Sequence, residues 1–372
     1  MERKIKRYLF VSPTAVLGGA ERVMFNLMFS LLEDGHIVIF ICMSRGKQSG
    51  WDELLKYKNF YPYFKEYPSE KTSVLPFIKF IYKISREQDI HLTFSSHTHI
   101  NGLLSFLRKI KILSTEYLVS RESTVIFDRF FGVWRYIFLF IYKFMYGKQD
   151  LLISQTDYMQ SQLIKSLRKA PCEKIKVLDN PVNFNYINLK LNENNTLEYN
   201  LTKKIIVGCG RFISLKKFDN LILAFSQMKQ RENYILVLIG DGPERSNYEK
   251  IVNDNYLNES VIFTGKILNP LSLFAISDIG IISSEIEGFP NVLLEMMASG
   301  TKKIISTPCS PSVMKLPNIY MTKSCSVEDI LFTLNKLTVC NESNYLVYKN
   351  YIKDYRSSDI YIKNIYSELG DL

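Results

Sequence analysis

Two glutamates in the stretch SEIEGFPNVLLEMMASG, residues 284–300, are spaced to meet a ligand from two different elements. Gly288 and Pro290 are typical of a turn that leads from a strand into a helix, so we expect Glu287 on the turn and Glu295 two turns into the helix. A carboxylate in an apolar helix needs polar partners, and the vicinal hydroxyls of a ribose would supply two donors. The alternative for Glu295 is a structural salt bridge.

Two cations follow a second predicted strand, in GCGRFISLKKFD. Arg211 and Lys216 lie on the loop, where a charge-assisted hydrogen bond to phosphate contributes about 1.5–3 kcal/mol, although both could be solvated surface charges. Gly18 and Gly19 in SPTAVLGGAER also follow a strand, and the free N–H groups of the helix they open suit a diphosphate. The alternative there is a tight turn without a ligand. The G-x-G in GCGRFISLKKFD lacks the rest of a dinucleotide-binding fingerprint, which argues against a nicotinamide site.

Two of the four histidines, His97 and His99, fall in the strand-end stretch SSHTHIN. A histidine there could donate to a phosphate or accept the proton of a hydroxyl near neutral pH, although a single histidine is usually structural. The stretch GDGPER, which contains Gly240, has the residues typical of a turn. A structural and a functional interpretation of it are equally open. The cysteines and histidines lack the spacing of a metal site, and no D-x-D pair follows a strand, so we predict that no metal is bound.

The elements that must position these residues alternate between short apolar runs and amphipathic stretches. RYLFVS at 7–12 is predicted to be a strand, and residues 19–35 a helix that stops at Gly35. Such alternation favours a parallel sheet covered on both faces, with ligands outside the carboxyl ends of the strands. Further strands are predicted at 36–43, 91–96, 116–120, 151–155, 204–212, 233–242, 261–265, 278–284 and 302–307, and a C-terminal helix at 357–369.

An Asn-rich stretch without apolar periodicity, residues 179–200, interrupts this alternation and indicates a linker. The predicted fold class is therefore α/β, with two doubly wound Rossmann-like domains facing across a cleft, which is the natural place for a site. The predicted organisation is an N-terminal domain at 1–184, a linker at 185–200, a C-terminal domain at 201–342 and a helical segment at 343–372 that could cross back to the N-terminal domain.

Composition and charge restrict the partners. Hydrophobic residues make up 47% of the 372 residues and charged residues 23%, which excludes a disordered chain. Residues 1–184 carry 27 of the 47 basic and 17 of the 37 acidic residues, so the positive excess lies in this half and predicts an anionic partner there. A membrane surface is favoured over nucleic acid, because basic residues alternate with aromatic residues in FDRFFGVWRYIFLFIYKFMYGK, residues 127–148. The alternative is an ordinary buried helix with a basic exposed edge.

Taken in order, these stretches resemble the retaining GT-B glycosyltransferases of glycosyltransferase family 4 (glycosyl transferases group 1) over nearly the whole chain. GGAER is similar to the family's donor loop, GRFISLKKFD to its G-R-L-x-x-x-K-G-x-D segment and EGFPNVLLE to its E-x7-E signature. NPVN at 180–183 resembles the end of the family's first domain, and HIN at 99–101 is similar to H-A-N. The chain departs from the family at Lys217, where a glycine is common, at Glu285, a variable position to which we assign no role, and in STPCSPSVMKL, which lacks a glycine-rich stretch with a glutamate.

The resemblance implies a role for each of these residues. It places Arg211 and Lys216 on the donor diphosphate, Glu287 at the transferred sugar and Glu295 on the ribose, with His99 orienting phosphate or acceptor. The predicted catalytic residues are Glu287, His99, Arg211 and Lys216; the donor-binding residues are Gly18, Gly19, Gly240, Gly288, Phe289, Pro290, Asn291, Val292 and Glu295; the acceptor contacts are His97 and Asn101.

The reaction that the resemblance implies is the retaining transfer of a sugar from a nucleoside diphosphate sugar to a hydroxyl acceptor. The C-terminal domain would bind the donor and the N-terminal domain a lipid-linked oligosaccharide, in the synthesis of bacterial O-antigen or capsule. No metal or other cofactor is expected, since Arg211, Lys216 and the Gly18–Gly19 amides would stabilise the leaving diphosphate. Alternatives are a sugar-nucleotide epimerase of the same fold and a non-enzymatic anion-binding protein.

The sequence also predicts where the protein works. It has no signal-peptide pattern and no apolar run of about 18 residues, and its six cysteines are scattered. We therefore expect a cytoplasmic protein with reduced thiols, held peripherally at the inner face of the cell membrane by its basic N-terminal domain and binding no nucleic acid.

Overall fold

The computed structural model describes residues 4–64, 70–193, 203–267, 269–340 and 342–371. The chain forms two compact units. The first unit runs up to Asn183 and resumes at Ser358, and the second unit extends from Phe184 to Ser357. All six cysteines are free thiols. Among the described residues, no helix is long and apolar enough to cross a membrane, and no group of three His, Cys, Asp or Glu side chains could hold a metal ion.

A parallel sheet of seven strands forms the centre of the first unit. Its strands are β1 Arg7–Val16, β2 Ile37–Ser49, β3 Phe60–Phe64, β4 Leu92–Ser95, β5 Tyr117–Arg121, β6 Leu151–Ser154 and β7 Ile175–Val177. Their order across the sheet is β3-β2-β1-β4-β5-β6-β7. Every residue of β4 and β6 is buried, as expected for central strands of a parallel sheet covered on both faces.

Helices and an apolar core cover this sheet. The helices are α1 Gly19–Glu33, α2 Asp52–Leu55, α3 Glu70–Glu87, α4 Thr98–Lys109, α5 Ile126–Arg129, α6 Val133–Phe140, α7 Asp157–Leu167 and, at the end of the chain, α15 Ser358–Leu369. α6 continues directly into a π-helix at Ile141–Met145. Leu9, Ile41 and Leu118 from the strands pack with Ile81 and Leu104 from α3 and α4 in one buried cluster.

The second unit has the same architecture, with six parallel strands in the order β10-β9-β8-β11-β12-β13. These strands are β8 Lys204–Cys209, β9 Tyr234–Ile239, β10 Val261–Gly265, β11 Ile279–Ile282, β12 Lys303–Ser306 and β13 Tyr320–Met321. The α-helices are α8 Phe184–Asn192, α9 Phe218–Ser226, α10 Arg245–Asp254, α11 Leu271–Ile276, α12 Asn291–Ser299, α13 Val327–Thr338 and α14 Tyr345–Tyr355, with 3-10 helices at Ser214–Lys216, Arg231–Asn233 and Pro311–Lys315. Ile206, Leu236 and Ile281 from the strands pack with Leu221 of α9 and Leu334 of α13.

The predicted α/β fold class of two doubly wound domains is confirmed, because each unit is a doubly wound α/β fold and each predicted strand is present. Three further strands, β3, β7 and β13, were not predicted. β3 contains Pro62, and β7 and β13 have only three and two residues. A proline argues against a strand in the case of β3, and segments of two or three residues carry too little periodicity to be recognised.

The predicted linker at 185–200 needs a correction in its first half. α8 occupies Phe184–Asn192, where Tyr186 and Ile187 are buried and the helix packs against α11 and α12. The Asn-rich composition gives a weak helix propensity, which this packing overrides. The part of the predicted linker from 194 to 200 lies outside the described residues.

The alternative of an ordinary buried helix at 127–148 is wrong for α6, although Phe127, Tyr142 and Tyr146 of this segment are buried. The segment forms the end of α5, then α6 and the π-helix, and none of the eight residues of α6 is buried.

Candidate functional site

Except for Gly240, which follows β9, the predicted site residues follow the strands at which each sheet changes its winding direction. In the first unit β1 and β4 are neighbours, so the loops that carry Gly18–Gly19 and His97–His99 leave the same edge of the sheet side by side. In the second unit β8 and β11 are neighbours, and the loops after them carry Arg211–Lys216 and Glu287. Ligands of doubly wound sheets bind at such switch points.

The turn from β11 into α12 has the form that the sequence predicts. Pro290 precedes the helix and Asn291 is its first residue, so Glu287 lies on the turn and Glu295 in the second helical turn. The Glu287 side chain is 16% exposed. Phe289 is buried beneath the turn, and Glu295 is half-buried. The turn and the start of α12 therefore present a carboxylate and the positive end of a helix dipole at the same strand end.

Lys216 and Glu287 form an ion pair that joins the two switch-point loops of the second unit. Lys216 Nζ donates to Glu287 Oε1, and Ser284 Oγ donates to the same oxygen at 2.7 Å. Ser283 Oγ donates to Lys216 O at 2.7 Å, so a side chain of one loop also holds the backbone of the other. The structure thus brings the predicted phosphate-binding cation and the predicted sugar-binding carboxylate within one hydrogen bond.

The loop after β12 supports the turn that carries Glu287. Glu287 N donates to Cys309 O at 2.9 Å, and Ser310 Oγ donates to Gly288 O at 3.0 Å. Burial raises the pKa of the Cys309 thiol to about 11, so this thiol stays neutral near pH 7. The stretch STPCSPSVMKL, which departs from the family pattern, therefore holds the Glu287 turn through a carbonyl and a hydroxyl.

Arg211 is exposed on the loop after β8, and the described residues include no hydrogen-bond or ion-pair partner for its side chain. The loop itself is fixed, because Phe212 N donates to Asp241 O at 3.0 Å. Gly240 has a φ of +143°, and a Cβ there would lie 1.9 Å from Gly210 O. The close approach of two strand-end loops therefore explains this glycine, and the structural interpretation of GDGPER is the one that the contacts favour.

Lys217 adopts a left-handed backbone with a φ of +50°. Glycine reaches this region without a steric cost because it has no Cβ. This is the physical reason that a glycine suits this position. Lys217 Nζ lies 3.0 Å from Glu285 Oε2, and this hydrogen bond raises the pKa of Lys217. Glu285, which the sequence left without a role, therefore pairs with a lysine beside the site.

Glu21, which the sequence analysis did not single out, joins the glycine loop to the histidine loop in the first unit. Gly18 precedes α1, and Gly18 N donates to Glu21 Oε2 at 3.1 Å. The other oxygen of this carboxylate lies 3.1 Å from His97 Nε2. A Cβ on Gly18 would lie 2.8 Å from Glu21 Oε2, so glycine admits this contact. The spacing of a capping box in GGAER is the signal that could have identified Glu21.

The two histidines at the start of α4 differ in exposure. His97 precedes the helix and is half-buried, whereas His99 is exposed. Asn101, predicted as an acceptor contact, is 0% exposed. It accepts from Ser95 Oγ at 2.6 Å and donates to Arg121 O at 2.9 Å. A side chain without exposed surface cannot touch an acceptor in this structure, so the role of Asn101 is corrected to tying the ends of β4 and β5 together.

Glu122, directly after β5, is a second residue that the sequence analysis missed. It is 2% exposed, and it accepts hydrogen bonds from Thr98 Oγ1 at 2.5 Å and Tyr146 Oη at 2.6 Å. Burial raises the pKa of Tyr146 well above its ordinary value, so this hydroxyl remains a donor. Thr98 lies between the two histidines, and Glu122 therefore fixes the backbone that carries them. A charged residue at the end of an apolar strand was the available signal.

Arg121 is a buried cation beside this loop. Its Nη1 donates to Ser96 Oγ at 2.7 Å and its Nη2 to Asn180 Oδ1 at 2.5 Å. Burial lowers the pKa of this guanidinium, because a charge is poorly solvated there. Asn180 is the first residue of NPVN, so this motif anchors the end of the N-terminal part of the first unit, which runs up to Asn183, to the strand ends.

Comparison with known proteins agrees with this architecture. Residues 17–186 match the family Glycosyltransferase Family 4, and residues 191–353 match the family Glycosyl transferases group 1. The structure of Anabaena Alr3699/HepE in complex with UDP and glucose is similar at a TM-score of 0.77, with 15% sequence identity, over 99% of this chain and 100% of that chain. At this identity the likeness establishes the fold, which is GT-B.

Two curated relatives are similar over parts of the chain. The lipopolysaccharide core biosynthesis glycosyltransferase LpsD of Rhizobium meliloti (strain 1021) is 37% identical over 108 residues, which are 29% of this chain and 31% of the relative. The N-acetylgalactosamine-N,N'-diacetylbacillosaminyl-diphospho-undecaprenol 4-alpha-N-acetylgalactosaminyltransferase of Campylobacter jejuni is 27% identical over 159 residues, which are 43% and 42%. The chain thus spans less than half the length of either relative. Because the two family matches together extend over nearly the whole chain, it belongs to glycosyltransferase family 4.

Proposed function

We propose that the protein is a retaining glycosyltransferase that moves a sugar from a nucleoside diphosphate sugar to a hydroxyl of a lipid-linked oligosaccharide. The observation that carries this proposal is the Lys216–Glu287 ion pair at the switch point of the second unit, with Arg211 exposed on the same loop. The reaction would serve bacterial O-antigen or capsule synthesis in the cytoplasm, at the inner face of the cell membrane. The names of the relatives support this setting. One relative is named for lipopolysaccharide core biosynthesis, and the name of the other includes a diphospho-undecaprenol substrate.

The donor diphosphate would bind between Lys216 and Arg211. Lys216 would exchange Glu287 for a phosphate oxygen, because the diphosphate carries two negative charges and the carboxylate only one. As the bond between C1 of the sugar and the diphosphate breaks, the acceptor oxygen bonds to C1 and its proton passes to the leaving phosphate. A positive charge about 4 Å from that phosphate contributes about 4 kcal/mol at an effective dielectric of 20, about a thousandfold in rate if fully realised.

The exchange would release Glu287 to bind hydroxyls of the transferred sugar. Ser284 would keep the carboxylate in place, because its hydroxyl donates to Oε1 independently of Lys216. The N-terminus of α12 would meet the donor through the positive end of its helix dipole, and Glu295 one turn after Asn291 would accept from the ribose hydroxyls. In the first unit, exposed His99 would orient phosphate or acceptor, while His97 is held by Glu21.

Sugar transfer by two variants tests this proposal. Glu287→Gln and Arg211→Ala should each lower the turnover number by about a hundredfold or more, because each removes a charged contact to the reacting donor. Purified protein is assayed with a panel of nucleoside diphosphate sugars and lipid-linked acceptors, with and without EDTA. Proton NMR of the product reads the anomeric configuration, which should match that of the donor. Activity should persist in EDTA.

Glu285→Gln and Arg231→Ala are matched controls, since they remove the same charges from the same unit, outside the proposed donor contacts, and should keep near-native turnover. Full activity in both test variants would contradict the assigned site. Conversion of the donor sugar in the absence of any acceptor would instead identify an epimerase, and inversion at C1 would refute retention. Binding of the nucleotide sugar with no conversion of any kind would favour the anion-binding alternative.

A further inference from the structure

An exposed apolar surface runs along α6 and the π-helix of the first unit. Seven large apolar side chains between 131 and 144 are 41–74% exposed. They are Phe131, Val133, Trp134, Tyr136, Ile137, Phe140 and Phe144, and they are called the aromatic surface below. A helix on the surface of a globular protein normally turns polar residues outward, so an apolar outward face marks an interaction site.

The inward side of the same helical run is already satisfied. Phe138, Leu139 and Ile141 pack against a buried cluster that contains Tyr142 and Tyr146. The aromatic surface is therefore not the side of the helical run that faces the core. It is a second apolar side on a helix that already has one side in the core.

The charges around the aromatic surface specify an anionic partner. Residues 127–148 contain four basic residues and one acidic residue. Arg129, Lys143 and Lys148 are exposed, whereas the single acid, Asp128, accepts a hydrogen bond from Tyr158 Oη at 2.7 Å. Trp and Tyr side chains flanked by Lys and Arg are the combination found at the interface of an anionic bilayer, where each basic residue adds to the attraction.

The length of the run fixes how it would meet a bilayer. α6 has eight residues and the π-helix five. At 1.5 Å per residue this run is about 20 Å long, shorter than the roughly 30 Å of a hydrocarbon core. We propose that the aromatic surface docks the first unit on an anionic lipid bilayer, with α6 and the π-helix lying in the plane of the interface.

The docked helix is joined to the histidine loop. Tyr146, which follows the π-helix, has its hydroxyl 3.1 Å from Thr98 O and 2.6 Å from Glu122 Oε1. A Cβ on Gly102 of α4 would lie 2.7 Å from Ile141 Cγ2, so the run packs closely on the helix that begins at the histidines. Docking would therefore hold His97 and His99 at a fixed place near the headgroups. This last step rests on the proposed lipid-linked acceptor.

Vesicle flotation of the full chain tests the docking. The chain should float with vesicles of phosphatidylglycerol and phosphatidylethanolamine (30:70) and not with phosphatidylcholine alone. The double variant Trp134→Ser/Phe140→Ser should bind at least tenfold more weakly, because it removes two large apolar groups from the interface. Arg129→Gln/Lys143→Gln should also weaken binding, and binding by the wild type should fall in 1 M salt, which screens charge.

Phe332→Ser is the matched control, because Phe332 is an aromatic residue of the second unit that is 73% exposed. It should float like the wild type. Circular dichroism and the melting temperature verify that each variant is folded. Equal flotation of the Trp134→Ser/Phe140→Ser variant and the wild type would overturn the proposal. So would a wild type that ignores anionic vesicles but forms a dimer that this variant loses, since the surface would then bind a second copy of the chain.

The assay separates docking from the proposed function, because it contains no nucleotide sugar. A chain that transfers sugar but does not float has a different acceptor-side surface, and the docking inference fails alone. A chain that floats but transfers no sugar retains the docking surface, and the proposed function fails alone.

Discussion

Lys217 shows how one backbone angle shapes the donor-side loop. The 3-10 helix ends at Lys216 and α9 begins at Phe218, so a single residue must redirect the chain between them. Lys217 does so with a φ of +50°, a conformation that costs a residue with a Cβ about 1 kcal/mol. The ion pair with Glu285 offsets little of this cost, since both side chains are solvent-accessible.

Glycine should therefore be preferred over alanine at this position. Lys217→Gly and Lys217→Ala both lose the ion pair, but only the glycine variant relieves the left-handed strain. We expect the glycine variant to be more stable than the alanine variant by about 1 kcal/mol in urea denaturation. Lys353, an exposed lysine within α14, is the control, because alanine there should be more stable than glycine by about the same amount. If the alanine variant is more stable than the glycine variant at Lys217 as well as at Lys353, the backbone at Lys217 is not strained.

At the scale of elements, the packing of the π-helix on α4 depends on Gly102. The Cβ of an alanine there would lie 2.7 Å from Ile141 Cγ2 and 3.3 Å from Tyr146 Cε2. The β-branched Ile141 has little freedom to turn away, so the two helices would have to separate. Their separation would also move the Tyr146 hydroxyl that contacts Thr98.

A double-mutant cycle tests this contact. Gly102→Ala should destabilise the first unit by about 1–3 kcal/mol through overpacking, even though alanine favours helix formation. Adding Ile141→Ala to Gly102→Ala should cost less than Ile141→Ala costs alone, because the side chain that overlaps the new methyl group is gone. Chemical denaturation of the four proteins gives the coupling energy, expected at about 0.5–3 kcal/mol in favour of the double variant. A coupling of zero would show that the helices do not meet at this point.

The same elements show what the sequence could predict. Strand ends, glycine turns and the start of α12 follow from local patterns, and they placed Glu287 on its turn correctly. The contact between Lys216 and Glu287 spans 71 residues and exists because β8 lies beside β11, an order that no local pattern contains. Apolar periodicity likewise cannot distinguish a buried helix from an unpartnered one, so the exposure of α6 was visible only in the structure.

At the scale of the whole molecule, the end of the chain belongs to the unit in which the chain begins. α15 packs against α1, and Ser30 Oγ donates to Asp359 Oδ1 at 2.9 Å. Lys6 Nζ forms an ion pair with Asp371 Oδ2 at 3.1 Å. The first unit therefore contains both ends of the chain. All seven strands of its sheet precede residue 178, whereas α15, which packs on this unit, begins only at Ser358.

Weaker packing of α15 should therefore destabilise the first unit selectively. Ile365 is 4% exposed on α15, so Ile365→Ala should cost about 2–5 kcal/mol, whereas Asn364→Ala, next to it and exposed, should change stability by about 0.5 kcal/mol or less. Hydrogen exchange read by mass spectrometry should show faster exchange in β1 and α1 of Ile365→Ala, while β8 and α9 keep the protection of the wild type. Equally faster exchange in both units would contradict the assignment of α15 to the first unit, because a cavity in the core of one unit destabilises that unit alone.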